Sequence, residues 1–229
     1  MDFSVRNFAV LDIFGIELWL TETIRNLWIV MAIMIILAII IRVKLDTYTN
    51  SPKGLQNIIE LIVEMFDRFV RNAVGDPLAY LGNWFFTVFF VIMFSNFSGL
   101  LSLRPPTADW AFTFSLAFVT FVLIQFMGYK YRPKEQIKAL FEPVFLFLPI
   151  NIIGELARPV SLSFRLFGNI LSGMILIGLI YAIAPWPARV LLPIPLHAYF
   201  DLALGFLQAF IFTVLSLSFI GIAAGTQND

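Results

Sequence analysis

One charged residue, Arg165, lies inside a long apolar stretch, in the run RPVSLSFRLFGN from Arg158 to Asn169. A charge near the centre of a bilayer costs from about 3 to more than about 10 kcal/mol, depending on how the cost is measured. The guanidinium keeps its proton in nearly any environment, so Arg165 is suited to be a permanent positive charge and unsuited to carry protons. A helix that holds such a charge needs a partner, a water-filled path or an ion. What Arg165 faces therefore decides what the chain does.

Composition places the chain among helical membrane proteins. Of its 229 residues, 60% are hydrophobic and 13% are charged, whereas soluble domains are about 45–50% apolar. Several segments approach or exceed the ~20 apolar residues that span a bilayer, which predicts an all-α polytopic fold. The net charge of zero gives no argument for nucleic acid as a partner. The absence of cysteine and the single histidine exclude disulfides and Cys-rich or His-rich metal sites, and no cofactor is expected.

Five apolar segments predict spanning helices after an N-terminal outer segment, 1–22. The predicted spans are 23–44, 84–103, 110–129, 143–186 and 189–225. Pro105 and Pro106 mark the turn between the second and third spans. There is no internal repeat, so residues 1–229 are expected to form one membrane domain. The N-terminus lacks a basic region followed by a cleavable apolar core, so no signal peptide is expected.

The segment 53–74 has a different pattern, because its apolar residues recur at helical spacing and its charged residues occupy the other side. The apolar positions are Leu55, Ile58, Ile59, Ile62, Phe66, Phe69 and Val70. This pattern predicts an amphipathic helix. The helix lies along the membrane surface or packs on the outside of the bundle, and either position leaves the topology unchanged.

The distribution of positive charge orients the predicted bundle. Nine basic residues lie in the regions 42–80 and 130–142, and four lie on the opposite side: Arg6, Arg25, Arg104 and Arg189. The positive-inside rule then places both regions in the cytoplasm. With five spans, the N-terminus is outside and the C-terminus inside. The lack of an organellar targeting segment favours a bacterial plasma membrane.

Polar residues follow one face of the fourth predicted span. They are Glu155, Arg158, Arg165, Asn169 and Ser172. The steps of seven and four residues around Arg165 keep side chains on one helix face. In the last span, Asp201 and Gln208 are seven residues apart, with Gly205 between them at the four-residue step. Two neighbouring helices with a short connection would place these faces side by side, as a polar groove with one fixed positive charge.

Simpler roles remain open for most of these residues. An Asn or Gln in a spanning helix commonly holds two helices together through a hydrogen bond. Arg158 either extends its charged end to the membrane surface or pairs with Glu155 at three residues' spacing. Asp201 could lie near the outer surface of the membrane. A single histidine such as His197 is more often a residue at the membrane interface than a ligand. Arg165 is harder to explain in these ways, because it lies too deep to reach the surface easily.

Five short segments together are typical of one family. They are RPVSLSFRLFGN from Arg158, QAFIF from Gln208, PINII from Pro149, PTAD from Pro106 and NFSGLL from Asn96. The chain resembles subunit a of F-type ATP synthases from about residue 50 to the C-terminus, and the first 25 residues carry little of the likeness. The resemblance implies a non-catalytic membrane stator beside a ring of c subunits. Its other expected neighbours are the b subunit of the peripheral stalk, the lipid bilayer and, indirectly, the catalytic head.

The resemblance also implies roles for individual residues. Arg165 would face the ring and separate two half-channels that bring H⁺ or Na⁺ to and from a carboxylate on each c subunit. Asn169 and Gln208 would line the path, Asp201 the outer half-channel and Glu155 the cytoplasmic exit. Secondary candidates are Arg158, His197 and Ser172. The last two helices are expected to be long and tilted against the ring.

One position departs from a common pattern of that family. Some members have Glu or His nine residues after the arginine, where this chain has Met174. Asp201 then either serves alone or is assisted by His197, and the sequence leaves the choice between H⁺ and Na⁺ open. One alternative function is a self-contained ion transporter or channel with the same groove, which predicts internal repeats or broken helices. Another is a purely structural membrane scaffold, in which Arg165 could be replaced by Gln or Leu without loss of ion transport. No GxxxxGK loop is present, so the chain is not expected to bind nucleotide or to be an enzyme by itself.

Overall fold

The computed structural model describes residues 7–13, 16–45, 48, 54–101, 103–142 and 144–226. The N-terminal segment 1–22 is therefore described only in part. Outside that segment, residues 46, 47, 49–53, 102, 143 and 227–229, most of which belong to predicted spans or loops, also lie outside the described ranges.

The chain begins with a short antiparallel pair of strands, β1 (Asn7–Ile13) and β2 (Ile16–Thr21). The register places Val10 opposite Trp19 and Asp12 opposite Glu17. The sequence analysis gave no secondary structure for this segment and assigned it only to the outer side of the membrane, so the strand pair was not predicted. Helix α1 (Glu22–Leu45) follows β2 directly.

The rest of the described chain is helical. The remaining α-helices are α2 (Leu55–Val74), α3 (Gly82–Phe97), α4 (Trp110–Tyr131), α5 (Pro133–Phe141), α6 (Leu148–Ile183), α7 (Trp186–Leu191), α8 (Pro193–His197) and α9 (Gly205–Ala224). Short 3₁₀ helices cover Asp76–Leu81, Ser98–Leu101, Pro106–Ala108 and Phe145–Phe147, and a π-helix covers Ala198–Leu204.

Five regions are long and apolar enough to cross a membrane. They are Glu22–Leu45, Asp76–Leu101, Trp110–Tyr131, Phe145–Ile183 and Trp186–Ala224. This finding confirms the predicted all-α polytopic fold with five spanning regions and two long final ones. The amphipathic helix is α2, between the first two spans.

The chain forms two compact units, and the divisions between them fall inside the long helices. The first unit takes its described residues from 1–34, 90–116 and 162–210, and the second from 35–89, 117–161 and 211–229. Each unit therefore contains a section of α1, α3, α4, α6 and α9.

The first unit is joined by hydrogen bonds between small polar side chains. Thr23 Oγ1 donates to Asp109 Oδ2 over 3.0 Å, and Asn26 Nδ2 donates to the carbonyl oxygen of Arg104 over 2.9 Å. The hydroxyls of Thr113 and Ser163 are 3.3 Å apart and link α4 to α6. Because lipid tails are as apolar as the helices, such contacts and close packing are what hold spanning helices together.

The second unit has an apolar core to which α2 contributes one side. Its buried members are Val70, Val74, Leu78, Leu81, Phe85, Ile124, Met127, Leu217, Ile220 and Ala224. The Phe66 ring meets the edge of the Phe86 ring at a centroid distance of 5.1 Å. Leu55, Ile58 and Met65 on α2 stay exposed. Helix α2 thus packs on its own unit and also presents apolar side chains outward.

The two long final regions differ in regularity. Helix α6 runs unbroken for 36 residues with Pro159 inside it. Spanning helices tolerate proline where neighbouring groups satisfy the freed backbone. The last region is instead divided into α7, α8, the π-helix and α9. Pro187 and Pro193 lie in the first turns of α7 and α8, where no backbone N–H is needed.

Replacing Gly225 with Ala is expected to destabilise the second unit. Gly225 follows α9 with φ of 74°, and a Cβ there would lie 1.8 Å from Nε of Arg132. The left-handed conformation alone costs a side chain about 1–2 kcal/mol. We expect Gly225→Ala to lower the midpoint of thermal unfolding of the purified protein in detergent.

The matched control is Gly154→Ala, because that helical glycine has open space where its Cβ would lie. Alanine favours a helix over glycine by about 1 kcal/mol, so this variant should unfold at the same temperature or higher. Equal midpoints for the two variants would contradict the packing of Arg132 on Gly225.

Candidate functional site

Helix α6 carries three charged residues, Glu155, Arg158 and Arg165. In the second unit, Arg158 Nη1 lies 3.0 Å from Glu155 Oε2, so these two form the ion pair that was one of the alternatives for Arg158. Arg165 belongs to the first unit and is exposed. Among the residues that the structure describes, it has no hydrogen-bond or ion-pair partner.

Arg165 lies on the side of α6 that turns away from the rest of its unit. Leu162, Leu166 and Ile170, which follow one another at four-residue steps on the neighbouring face of the helix, are buried. Ser172 is exposed like Arg165, and a Cβ built on Gly168 would meet nothing within 4 Å. The guanidinium is therefore presented outward on a face with small side chains.

Asn169 and Gln208 were predicted to share a polar groove, and the structure brings them together. Asn169 Nδ2 donates to Gln208 Oε1 over 2.7 Å. Gln208 is only 2% exposed, and its Nε2 donor has no partner among the described residues. An unpartnered buried donor costs about 1–3 kcal/mol unless something polar reaches it. Ser172 only donates to the carbonyl oxygen of Asn169 within its own helix.

Asp201 is paired with His197, one turn earlier in the chain. His197 Nδ1 and Asp201 Oδ2 are 2.6 Å apart, with the carboxylate side chain mostly buried and the imidazole about one-third exposed. Asp201 lies within the π-helical segment, a geometry that occurs frequently at functional sites. Position 174 on α6 is a methionine, which cannot be an acid–base partner of Asp201. The side chain that does contact the Asp201 carboxylate is His197, four residues earlier in the chain.

Two glycines allow the end of α3 and the 3₁₀ helix after it to pack closely on the π-helix and the start of α9. A Cβ on Gly99 would lie 2.8 Å from Cγ of Asp201, and one on Gly205 would lie 2.9 Å from Cβ of Asn96. Asn96 is fully buried; its Nδ2 donates to the carbonyl oxygen of Gly205 over 2.9 Å, and its Oδ1 accepts from Thr107. The sequence analysis did not single out Asn96 as a site residue. Its polarity inside an apolar span was the available signal.

Glu155 borders a cavity of about 840 Å³ in the second unit. Its Oε2 accepts from Arg158 and also from Nε2 of Gln125, at 2.9 Å. The Arg158 guanidinium lies over the Phe219 ring, 5.5 Å from its centroid. The cavity is lined by polar residues from α4, α5 and α6, and by apolar residues from α9. Gln125 was missed because a lone glutamine in an apolar helix is commonly only a helix-to-helix contact.

These groups divide into three chemical kinds. Arg165 can attract an anion from outside the unit, and the Asp201–His197 pair and Glu155 can each attract or exchange a cation. In the described part of the chain, no three His, Asp or Glu side chains come together as a metal site. The arrangement suits ion passage, since charges are held in place beside polar side chains.

The fold and these groups define a polytopic membrane protein with a fixed intramembrane cation and separate polar clusters. The sequence profile of the ATP synthase A chain family matches residues 25–221, and the chain belongs to that family. As a member, it is a non-catalytic membrane stator subunit of an H⁺- or Na⁺-coupled F-type ATP synthase, which confirms the expectation from its motifs.

Three bacterial relatives give the extent of the likeness. "ATP synthase subunit a, sodium ion specific" of Propionigenium modestum is 35% identical over 219 residues, which cover 87% of this chain and 73% of that protein. "ATP synthase subunit a" of Acidothermus cellulolyticus is 33% identical over 216 residues, 91% and 78% of the two chains. "ATP synthase subunit a 2" of a Bradyrhizobium species is 34% identical over 213 residues, 90% of each. The relatives' bacterial origin indicates a multi-pass protein of the cell membrane.

Replacing Gly99 with Ala is expected to destabilise the protein through Asp201. The added methyl group meets the carboxylate at 2.8 Å, and overpacking of this kind costs about 1–3 kcal/mol. Thermal unfolding in detergent should show a lower midpoint for Gly99→Ala. In an Asp201→Ala background the same substitution should cost much less, because the colliding atoms are gone. An equal cost in both backgrounds would show that Gly99 and Asp201 are not in contact.

Proposed function

We propose that the chain conducts H⁺ or Na⁺ through two half-channels to and from the carboxylates of a c-subunit ring, with Arg165 keeping the half-channels apart. The observation that carries this proposal is the exposed guanidinium of Arg165, which no described residue of its own unit neutralises. The exposed Ser172 and the open space at Gly168 on that face would allow a partner helix to approach closely.

The role of Arg165 follows from the cost of an unpaired charge in the membrane. A c-subunit carboxylate that has released its ion supplies the missing counter-charge as it passes, so the pairing is transient. A fixed positive charge also repels cations, which blocks direct leakage from one half-channel to the other. A unit charge that crosses 100 mV releases ~2.3 kcal/mol, which supplies the driving force for rotation.

The outer half-channel is assigned to the polar groups of the first unit. Asp201 and His197, 2.6 Å apart, form a titratable pair that can receive an ion from outside. Asn169 and Gln208 continue the polar path, and the unpartnered Nε2 of Gln208 is a donor for water or a ligand there. His197 then serves as the titratable partner of Asp201, in place of the Glu or His that some family members have at the position of Met174.

The cytoplasmic half-channel is assigned to the cavity of the second unit. Glu155 would attract the leaving cation, while its ion pair with Arg158 keeps the local net charge low. The cavity of about 840 Å³ has room for water beside both residues. With this cavity on the cytoplasmic side of the membrane, the N-terminus is outside and the C-terminus is in the cytoplasm. The direct partners are the c-ring and the b subunit.

Arg165→Ala is expected to abolish ATP-driven ion uptake into inverted vesicles that contain the whole complex, because nothing then pairs with the arriving carboxylate. Uptake would be measured with and without Na⁺, which also names the ion, and assembly would be checked on the same membranes. The matched control is Arg158→Ala, an arginine of the same helix that already has a partner in Glu155. That variant should retain partial uptake.

Normal pumping by an assembled Arg165→Ala complex would contradict the proposed role of the arginine. Equal losses in the two variants would mean that helix α6 tolerates no change of charge, and would remove the distinction drawn between Arg165 and Arg158.

A further inference from the structure

Glu155 is held by a chain of side-chain amides that ends outside the spanning helices. Gln136 on α5 donates from Nε2 to Oε1 of Gln125 on α4, over 3.1 Å. Gln125 in turn donates from Nε2 to Oε2 of Glu155, over 2.9 Å. Arg158 donates to the same carboxylate oxygen, over 3.0 Å. All four residues belong to the second unit and line its cavity.

The position of Gln136 depends on a glycine. Gly128 is buried, and a Cβ built on it would lie 2.9 Å from Cδ of Gln136. The absence of a side chain there is what lets the Gln136 amide lie against α4 and reach Gln125. Gly128 and the two hydrogen bonds are thus separate observations that fix the same chain of amides.

We propose that Gln125 is a positioning residue for ion passage, which orients the Glu155 carboxylate towards the cavity and is itself oriented by Gln136. The Glu155 carboxylate can only accept a hydrogen bond and Gln136 donates to Oε1 of Gln125, so both contacts favour the orientation of the Gln125 amide in which Nε2 points to Glu155. With Oε2 occupied by two donors, the other oxygen, Oε1, is the one presented to a passing cation. The inference rests on the proposed role of Glu155 at the cytoplasmic exit.

This arrangement has a consequence for α5, which lies beyond the end of the fourth helix. Because Gln136 belongs to α5, a displacement of that short helix would release the Gln125 amide and let the Glu155 carboxylate turn. The ion pair with Arg158 leaves the carboxylate free to turn about that one contact, and the Arg158 side chain is itself 44% exposed.

The test uses Gln125→Met, which keeps the length of the side chain but can neither donate nor accept in this way. The complete complex would be assembled in membranes, and its soluble head would then be removed. We expect passive ion flux through these membranes to fall by about tenfold, the effect of losing one hydrogen bond to a charged group. Gln136→Met should give a smaller loss in the same direction.

The matched control is Gln56→Met. Gln56 also donates its amide to a carboxylate, Glu60 over 2.8 Å, but on the exposed surface of α2 and away from the cavity. Its flux should equal that of the unchanged protein. A loss in Gln56→Met as large as in Gln125→Met would overturn the inference.

A double-mutant cycle with Glu155→Gln separates this inference from the proposed function. If Gln125 acts through Glu155, then Gln125→Met slows a Glu155→Gln complex by no more than about twofold. An equal slowing in both backgrounds, or normal flux in Gln125→Met while Glu155→Gln is slow, would overturn the inference and leave the role of Glu155 intact. Normal flux in Glu155→Gln would refute that role and the inference together. If Gln125→Met fails to assemble, Gln136→Met decides the same question, since its side chain lies outside the spans.

Discussion

The structure depends on keeping one positive charge, that of Arg165, inside the membrane without a partner among the described residues of its own chain. Such a charge is costly in hydrocarbon, and an opposite charge supplied by a neighbouring subunit would stabilise it. The other two charged residues of α6 neutralise each other instead. Pairing two of the charges and leaving the third exposed is what a stator needs if its partner is a succession of moving carboxylates.

Small side chains make the polar groups around this charge possible. Gly205 lets the end of α3 approach the last region so closely that Asn96 donates to the Gly205 carbonyl, and Gly99, in the 3₁₀ helix after α3, leaves space that the Asp201 carboxylate fills. Gly128 does the same for the amide of Gln136 in the second unit. In a membrane, where apolar surface gives helices little reason to associate, such close contacts and hydrogen bonds carry the specificity of packing.

The spans and the amphipathic helix were predictable, since apolar runs and helical spacing depend on the local sequence alone. The contact between Asn169 and Gln208 was predictable because each lies on the polar face of one of the last two spans, which follow each other in the chain. The N-terminal strand pair was not predicted, because the segment was assigned only to a side of the membrane, although its two runs of apolar, β-branched and aromatic residues are typical of strands. The π-helix at Asp201 was missed because a period of 3.6 residues was assumed throughout. The partners of Glu155 and Asp201 were only partly predictable: Arg158 and His197 lie close in sequence, whereas Gln125 comes from another helix.

The central claim is that the face of α6 with Arg165 meets the rotor ring. The chain contains no cysteine, so a single cysteine can be placed at Ser172, exposed on that side, or at Ser163, which is fully buried in its own unit. Each would be combined with a cysteine beside the c-subunit carboxylate, and disulfide cross-linking would be measured in intact membranes. The account predicts a cross-link from position 172 and none from position 163. Cross-linking from 163 alone, or from neither position in an assembled complex, would contradict it.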